Sequence, residues 1–194
     1  MSHYFIEDNS KEEIRSFDYR FEETLFHFES DIGLFSKDHV DYASDLLLNA
    51  ITPFSGSALD LGCGYGPIGI VLAKVYGVDV TMTDVNPKAL RFAAHNVALN
   101  GVEATLVESD GFEKIESSFD VIVLNPPIHA GKQLIFDLYD GAYAHLVPGG
   151  HFYVVIQKRH GAESTQKKLE TLFDGACETV YKKKGVFVFK CTKA

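Results

Sequence analysis

The first stretch of sequence that could do chemistry is a glycine-rich segment that follows a strand-like run and opens a helix-like run. Residues 59–69 read LDLGCGYGPIG, and Gly64 to Gly69 match the spacing GxGxxG. Glycines at such a junction allow a tight turn and the close approach of a ligand, and free N–H groups at a helix start favour polar or anionic groups. The segment predicts a nucleotide-binding loop, which by itself would also fit a dinucleotide.

Three aspartates that follow successive predicted strands indicate which nucleotide-like ligand the loop would bind. Asp84 lies 20 residues after Gly64, where a carboxylate can accept both hydroxyls of a ribose. Asp60 adds negative charge where a dinucleotide places its pyrophosphate, but it suits the ammonium group of a methionine moiety. Asp110, followed by Gly111, can accept from an adenine amino group. Each alone could be an ordinary capping or turn carboxylate, but three at one sheet edge favour a ligand site.

The segment Asn125-Pro126-Pro127-Ile128 ends the fourth predicted strand. Two prolines remove two backbone donors and stiffen the chain, which leaves the Asn125 side-chain oxygen and the Pro126 carbonyl as outward-facing acceptors. Such a pair can hold an NH2 group by its hydrogens and aim the nitrogen lone pair at an electrophilic methyl group. Without its context, Asn-Pro-Pro would indicate a simple turn. Beside the glycine-rich loop, it predicts methyl transfer to a planar nitrogen.

An alternation of strand and helix patterns from about residue 58 onward must position these groups. The apolar runs are short, as is typical of strands that are buried on both faces of a parallel sheet. The predicted strands are 58–61, 78–83, 104–107, 119–124 and 152–156. Helices are predicted over 67–76, 87–100, 132–146 and 163–173, with a turn at 148–150.

Both ends of the chain predict antiparallel hairpins. Near the C-terminus, runs at 178–182 and 186–191 are joined by a short connection, and near the N-terminus runs at 17–22 and 25–29 precede a helix over 40–50. The pattern predicts an α/β fold: a mostly parallel seven-stranded sheet with an antiparallel C-terminal hairpin, helices on both faces and an N-terminal β-hairpin. We expect residues 1–194 to form one domain, with 1–35 as an N-terminal extension and 36–194 as the catalytic core.

Composition excludes several classes of protein. With 194 residues and 46% hydrophobic content, the chain can bury one substantial core and has little room for a second. No apolar run approaches the roughly 20 residues of a membrane-spanning helix. The N-terminus has neither the basic start nor the apolar stretch of a secretory signal. We therefore expect a cytoplasmic protein with no membrane partner.

The charge distribution bears on partners. A net charge of −9 argues against binding naked nucleic acid by charge alone. Residues 151–194 differ, because they contain nine Lys and Arg against four Asp and Glu. The runs 158–160 and 182–184 could meet an RNA backbone, although a solvated surface is the simpler interpretation of any single charge run.

The cysteines and histidines predict neither disulfides nor a metal site. Cys63, Cys177 and Cys191 are an odd, scattered set without a CxxC pair, so we expect reduced thiols. The eight histidines show no ligand spacing, and no metal is implied.

Taken together, these motifs resemble those of class I S-adenosylmethionine-dependent methyltransferases, whose fold is Rossmann-like. LDLGCGYGPIG is similar to the family's cofactor loop, TDVNP to its ribose-binding strand end, and NPP to the signature of its amino-group branch. More narrowly, GLFSK at 33–37 and NPPIHAG at 125–131 resemble small-subunit ribosomal RNA guanine-N2 methyltransferases. The chain is similar to their catalytic half only, and it resembles a short stand-alone branch.

The resemblance implies a role for each matching residue. Six residues would bind S-adenosylmethionine. Its methionine end would be held by Asp60, Gly62 and Gly64, its ribose by Asp84, and its adenine by Asp110 and Gly111. Two residues would be catalytic and hold the target amine: Asn125 and Pro126. Three would bind the substrate: Pro127, Ile128 and Phe35. Phe35, with Ser36, would lie over the cofactor or substrate, although it could also be a core residue. Apart from the resemblance, Lys158 follows the fifth predicted strand, where it could contact the RNA or substrate or could equally be solvated.

Two residues beside the motif leave questions about the target. Ile128 stands where the family commonly has an aromatic ring that stacks on the target base, so stacking would have to come from elsewhere. His129 could shuttle the proton of the amine. A base is not required, however, because an N-methylated amine cation loses its proton readily to water.

The implied reaction is N-methylation of an exocyclic amine, with guanine N2 in ribosomal RNA as the first candidate. The partner would be ribosomal RNA or a ribosomal subunit, and the protein a monomer or weak homodimer. An alternative through the same motif is methylation of a protein glutamine amide or a small-molecule amine. A further alternative, an NAD-dependent oxidoreductase, is supported only by the GxGxxG match. The non-enzyme alternative is a catalytically silent protein that binds S-adenosylmethionine.

Overall fold

The computed structural model describes residues 13–31, 33, 34 and 38–194, and it confirms the predicted α/β architecture. The strands of the described part are β1 (Ile14–Phe21), β2 (Thr24–Asp31), β3 (Ser57–Leu61), β4 (Asp79–Asp84), β5 (Thr105–Glu108), β6 (Phe119–Leu124), β7 (Leu146–Gln157), β8 (Cys177–Lys183) and β9 (Val186–Thr192). Its helices are α1 (Tyr42–Ala50), α2 (Pro67–Tyr76), α3 (Pro87–Leu99), α4 (Lys132–Ala144) and α5 (Ala162–Leu172), with a short 3-10 helix at Lys158–His160.

The main sheet has seven strands in the order β5-β4-β3-β6-β7-β9-β8. The first five of that order pair in parallel, whereas β9 runs antiparallel to both β7 and β8. From β3 the chain moves outward to β4 and β5, and it then returns to β6 on the other side of β3. This reversal creates a switch point, and the crevice at the carboxyl ends of such strands is where ligands bind in open α/β sheets.

Apolar side chains cover both faces of the sheet. On one face Val121 and Val123 pack with Leu47 of α1, Ile70 of α2 and Phe92 of α3 in one buried cluster. The other face forms a second cluster against α4 and α5. Because both faces are covered, the central strands are continuously apolar rather than alternating. Among the described helices, none is long and apolar enough to span a membrane.

The N-terminal hairpin packs against α3 through two asparagines one helical turn apart. Asn96 accepts the Glu29 N–H at 2.8 Å and donates to the Glu29 carbonyl at 2.9 Å. Asn100 makes the same pair of contacts with His27, at 3.0 and 2.7 Å. Each amide therefore satisfies backbone groups on the open edge of β2, as a neighbouring strand would. The domain division at residues 35 and 36 stays a prediction.

The predicted turn at 148–150 is wrong, because these residues lie within β7. The Gly149 N–H donates to the Lys193 carbonyl at 2.8 Å, and the Lys193 N–H donates to the Gly150 carbonyl at 2.9 Å. Gly149 has a φ of +79°, so the strand carries an irregularity here and continues. The tertiary pairing with the chain's last residues thus overrides a local Pro-Gly-Gly turn signal.

The expectation of reduced thiols is also wrong for two of the three cysteines. Cys177 and Cys191 form a disulfide, while Cys63 is a free, buried thiol. Cys177 opens β8 and lies directly opposite Cys191 in the antiparallel register, with 4.1 Å between the Cα atoms. Spacing along the chain does not reveal this pair, because only the hairpin register brings the two side chains together.

Candidate functional site

The loops that follow β3, β4 and β6 meet at one edge of the sheet. Leu61, at the end of β3, pairs with β4 on one side and with Leu124 of β6 on the other. The predicted site residues at these three strand ends are Gly62, Asp84 and Asn125. The predicted cofactor loop, ribose-binding aspartate and amine-binding asparagine therefore lie next to one another.

The glycine-rich loop has a backbone that few other residues could adopt. The φ angles of Gly62 and Gly64 are +70° and +59°, in the left-handed region. A Cβ atom at either residue would meet no protein atom within 4 Å, so both glycines face open space. The open side of this loop fits the methionine end of S-adenosylmethionine, and side chains here would occupy that room.

Gly69, the last glycine of the GxGxxG match, has a different role. A Cβ atom there would collide with the Met82 side chain on β4. Glycine at this position therefore allows α2 to pack closely on the sheet.

The Asp84 side chain fixes the glycine-rich loop and retains acceptor capacity. One carboxylate oxygen accepts the Gly64 N–H at 2.8 Å, and the other accepts the Asn86 N–H at 2.9 Å. Burial raises the pKa of Asp84, against the lowering effect of these backbone donors. A carboxylate has about four acceptor sites, so Asp84 retains capacity to accept from a ribose hydroxyl. This geometry fits the predicted role.

The Asp60 carboxylate is buried beneath the loop. It is 1% exposed and accepts the Gly69 N–H at 2.7 Å, within the first turn of α2. Burial raises the pKa of Asp60 to about 7, with Asp84 adding a smaller contribution. Asp60 therefore caps α2, the ordinary structural role that an aspartate at such a position can have. A cationic ligand group nearby would favour the ionised form of Asp60.

The loop after β5 offers the third carboxylate. Asp110 is exposed, and Gly111 has a φ of +54°. The buried Ser109 hydroxyl donates to the Gly111 carbonyl at 3.0 Å and accepts the Lys114 N–H at 3.1 Å. The Ser109 N–H donates to the Asp84 carbonyl at 3.1 Å. This loop is therefore joined to Asp84, and the bond is compatible with the predicted adenine-binding position of Asp110 and Gly111.

The Asn125 side chain is held by two residues at the start of α1. Its Nδ2 donates to the Ser44 Oγ at 3.0 Å and lies 3.4 and 3.5 Å from the two Asp41 carboxylate oxygens. This arrangement directs the Asn125 Oδ1 away from α1. Sequence reasoning missed Asp41 and Ser44, and the one signal in the sequence was Asp41 as a helix cap directly after Val40.

The two prolines differ in exposure. Pro126 is buried and Pro127 is exposed. The Pro127 carbonyl accepts the Ala130 N–H at 2.9 Å. Within the described part of the chain, no backbone donor reaches the Pro126 carbonyl, so this oxygen retains its acceptor capacity. The predicted pair of acceptors, Asn125 Oδ1 and the Pro126 carbonyl, is compatible with this geometry.

Ile128 lines a cavity of about 110 Å³ between α4 and α5. Two rings line the same cavity, those of Phe136 and His160. The His160 Nδ1 is buried without a hydrogen-bond partner among the described residues. Burial, with Arg159 and His129 nearby, lowers the pKa of His160, which favours the neutral imidazole. Ile128 therefore shares this cavity with two rings.

Lys158 lies on the same edge of the sheet within a larger basic surface. Its N–H donates to the Gly185 carbonyl at 2.7 Å, which joins the end of β7 to the turn of the β8–β9 hairpin. We call the five exposed residues at this junction the basic rim: Lys158, Arg159, Lys182, Lys183 and Lys184. The Lys184 Nζ is 5.9 Å from the ring centroid of Tyr42, which follows Asp41. Two charge runs that are separate in sequence thus form one surface near Asn125.

Phe35 and Ser36 lie outside the described residues. The structure brings the other predicted residues to one edge of the sheet, and their individual roles stay predictions.

Comparison with known proteins identifies relatives. The family described as methyltransferase small domain matches residues 25–190. Uncharacterized protein YbxB of Bacillus subtilis (strain 168) is 38% identical over 98% of this chain and 98% of its own length. Ribosomal RNA small subunit methyltransferase C of Pasteurella multocida (strain Pm70) is 39% identical over 129 residues, which are 63% of this chain and 39% of that protein. This chain spans less than half the length of that relative.

Among solved structures, the chain is also similar to methyltransferases. The T. thermophilus 16S rRNA N2 G1207 methyltransferase (RsmC), in complex with AdoMet and guanosine, matches with a TM-score of 0.84 and 30% identity over 93% of this chain and 51% of that chain. A ribosomal protein L11 methylase from Lactobacillus delbrueckii subsp. bulgaricus matches with a TM-score of 0.65 and 19% identity over 83% of this chain and 82% of that chain. The second likeness shows the fold alone.

Proposed function

The chain belongs to the methyltransferase small domain family and is an S-adenosylmethionine-dependent methyltransferase; from this premise we propose that it methylates the exocyclic N2 of guanine in ribosomal RNA. The choice of guanine N2 is supported by the relatives whose names specify ribosomal RNA and, in one case, N2 of a guanine. We further propose that residues 1–194 act as one catalytic domain in the cytoplasm.

The observation that carries the proposal is the arrangement of Asn125. Its NH2 group is occupied by Ser44 and Asp41, so its Oδ1 is the end that can receive an incoming amine. The preceding residue, Leu124, pairs with Leu61 directly before the glycine-rich loop. An acceptor for an amino group therefore lies beside the loop that fits the methionine end of the cofactor.

This arrangement suggests how the chain's own residues would act. S-adenosylmethionine would supply an electrophilic methyl group on a sulfonium. Asn125 Oδ1 and the Pro126 carbonyl would accept the two amine hydrogens, which aims the nitrogen lone pair toward the Gly62 side of the site. Both acceptors also stabilise the positive charge that develops on the amine nitrogen. The proton can then leave to water, so no residue is required as a base.

The basic rim supports RNA as the substrate class. The five cationic residues contrast with the net charge of −9 for the whole chain. Lys and Arg near a site steer and hold phosphates, while a flipped or single-stranded base is read separately. The rim lies at the carboxyl edge of the sheet with Asn125, where an RNA backbone could contact it during transfer.

The test is methyl transfer from labelled S-adenosylmethionine by the purified chain. The substrates are total RNA, small ribosomal subunits and protein from a strain that lacks the gene, with nucleosides identified by mass spectrometry. We expect N2-methylguanosine in RNA from the wild-type enzyme, and far less of it from Asn125→Ala in the same reaction time. Label in protein or in a small-molecule fraction, and not in RNA, would instead select a glutamine amide or another amine and overturn the RNA assignment.

A further inference from the structure

The orientation of the Asn125 amide is a chemical choice that the protein must make. The oxygen and NH2 ends of an asparagine have nearly the same shape, but one accepts hydrogen bonds and the other donates them. Only the oxygen can accept a hydrogen of a target amine. If the amide were rotated by half a turn, its NH2 would face the amine, and two donors would meet.

Ser44 alone does not make this choice. Its Oγ lies 3.0 Å from the Asn125 Nδ2 and is buried with the residue at 3% exposure. A hydroxyl can either donate or accept, so it would satisfy a rotated amide equally well. Ser44 anchors the side chain in place without distinguishing its two ends.

Asp41 does distinguish them. An ionised carboxylate only accepts hydrogen bonds, and its charge repels an amide oxygen. The contacts of 3.4 and 3.5 Å to the Asn125 Nδ2 are longer than an ordinary N–H···O bond, so they act mainly through charge. Asp41 is itself held as the cap of α1, since it accepts the Ala43 and Ser44 N–H groups at 3.0 and 3.2 Å.

We infer that Asp41, assisted by Ser44, is a positioning residue that selects the productive orientation of the Asn125 amide. The inference rests on the proposed role of Asn125 in amine binding. The N-terminus of α1 therefore has two roles at once, because the carboxylate that caps the helix also turns the Asn125 oxygen toward the substrate. Its negative charge lies one side chain away from the nitrogen that becomes positive during transfer, which adds a favourable long-range field.

Two substitutions separate positioning from capping. Asp41→Ser and Asp41→Asn both retain a good helix cap, but both remove the charge that repels the amide oxygen. We expect the single-turnover transfer rate to fall on the order of 10–100-fold, because a misoriented group costs about that much. The Kd for S-adenosylmethionine, measured by calorimetry, and the unfolding temperature should stay close to those of the wild type.

Asp45→Ser is the matched control. Asp45 lies one turn further along α1 and accepts a hydrogen bond from the Tyr19 hydroxyl at 2.8 Å, and among the described residues it makes no hydrogen bond with Asn125. The same chemical change at this position should leave the transfer rate unaffected. An equal loss of rate in Asp45→Ser, or full activity in both Asp41 variants, would overturn the inference.

A readout independent of catalysis separates this inference from the proposed function. The side-chain NH2 resonances of Asn125 can be assigned in a 15N spectrum by their loss in Asn125→Ala. They should shift and exchange faster with water in Asp41→Ser, and they should be unchanged in Asp45→Ser. Unshifted resonances in Asp41→Ser would refute the positioning role, whereas shifted resonances in Asp41→Ser, together with a wild-type protein that methylates no amine, would refute only the proposed function.

Discussion

The two sides of the active-site crevice are constructed in different ways. On the cofactor side, Asp60 and Asp84 accept backbone N–H groups that are only 9 and 20 residues away along the chain. On the acceptor side, Asn125 is held by side chains that precede it by 81 and 84 residues. The cofactor side is a local loop that closes on itself, whereas the acceptor side depends on how α1 docks at the sheet edge.

This difference leads to a separation of functions. Substitutions on the cofactor side should weaken S-adenosylmethionine binding and leave the rate at saturation largely intact. Substitutions on the acceptor side should do the reverse, since they remove an interaction with the reacting amine and not with the cofactor. The expected effects below are ordered from the largest to the smallest.

Asn125→Ala should have the largest effect. We expect the transfer rate to fall on the order of 10²–10³-fold, because one of the groups that orients the amine and stabilises its developing charge is removed. The Kd for S-adenosylmethionine by calorimetry should not change. Asn49→Ala, which removes an exposed asparagine of α1, is the control and should retain full activity. A parallel loss of cofactor affinity in Asn125→Ala would mean that the two sides are not separable.

Asp84→Asn should weaken S-adenosylmethionine binding and leave the transfer rate at saturation largely unchanged, the reverse of Asn125→Ala. An asparagine cannot accept both the Gly64 and the Asn86 N–H groups and still receive a ribose hydroxyl. Since a hydrogen bond to a charged group contributes about 1.5–3 kcal/mol, we expect the Kd for S-adenosylmethionine to rise on the order of 10–100-fold. Asp79→Asn, at the exposed start of the same strand, should bind normally. An unchanged Kd with a reduced rate at saturation would contradict the separation.

The pH dependence of cofactor binding should report on Asp60. Its pKa of about 7 means that the unliganded protein is partly protonated at neutral pH, while a bound ammonium group would favour the ionised form. Affinity for S-adenosylmethionine should therefore rise as the pH increases through 7, by about tenfold between pH 6 and 8. Asp60→Asn should show a flatter profile, and an equally steep profile in that variant would exclude Asp60 as the cause.

The same shift has a consequence for stability. Because the folded-state pKa of Asp60 lies above its ordinary value of 3.8, the folded state binds the proton more tightly than the unfolded state. The contribution of Asp60 to stability is then present at acid pH and is lost as the pH rises from about 4 to 7. Thermal unfolding of unliganded Asp60→Asn should show less of this decline.

Of these substitutions, neutralising a residue of the basic rim should have the smallest effect. Lys158→Gln and Lys184→Gln should each weaken RNA binding a few-fold and lower the slope of log Kd against log salt by about 1 for each phosphate that is no longer neutralised. Binding of S-adenosylmethionine should not change. Lys193→Gln, at the opposite end of the same strands, is the matched control. A salt slope that stays constant in both rim variants would show that RNA does not contact this surface.

Much of the fold could be predicted from the sequence, because its signals are local. The limits of β6 and α2 agree with the prediction, since a buried parallel strand is a continuous apolar run and Pro67 and Gly77 mark the ends of the helix. The prediction failed at 148–150, where pairing with the chain's last residues decides the backbone conformation. It also failed for the Cys177–Cys191 disulfide, which depends on strand register.

For the functional site, the sequence by itself was enough to predict the residues that are proposed to carry the chemistry. Gly62, Gly64, Asp60 and Asp84 act through backbone conformation and short spacings, and such features are encoded locally. Asn125-Pro126-Pro127 is recognisable for the same reason, because prolines restrict their own backbone. The side of the crevice that fits the cofactor could therefore be predicted from residue types and spacings.

Only the tertiary structure decided which way the Asn125 amide faces and that the basic rim lies at the same edge of the sheet. Asp41 and Ser44 show no sequence pattern that relates them to a residue more than 80 positions away. The two halves of the basic rim are likewise joined only by the pairing of β7 with β9. The physical reason is the same in both cases: contacts between distant segments depend on the packing of helices and strands, and residue spacing along the chain carries no record of that packing.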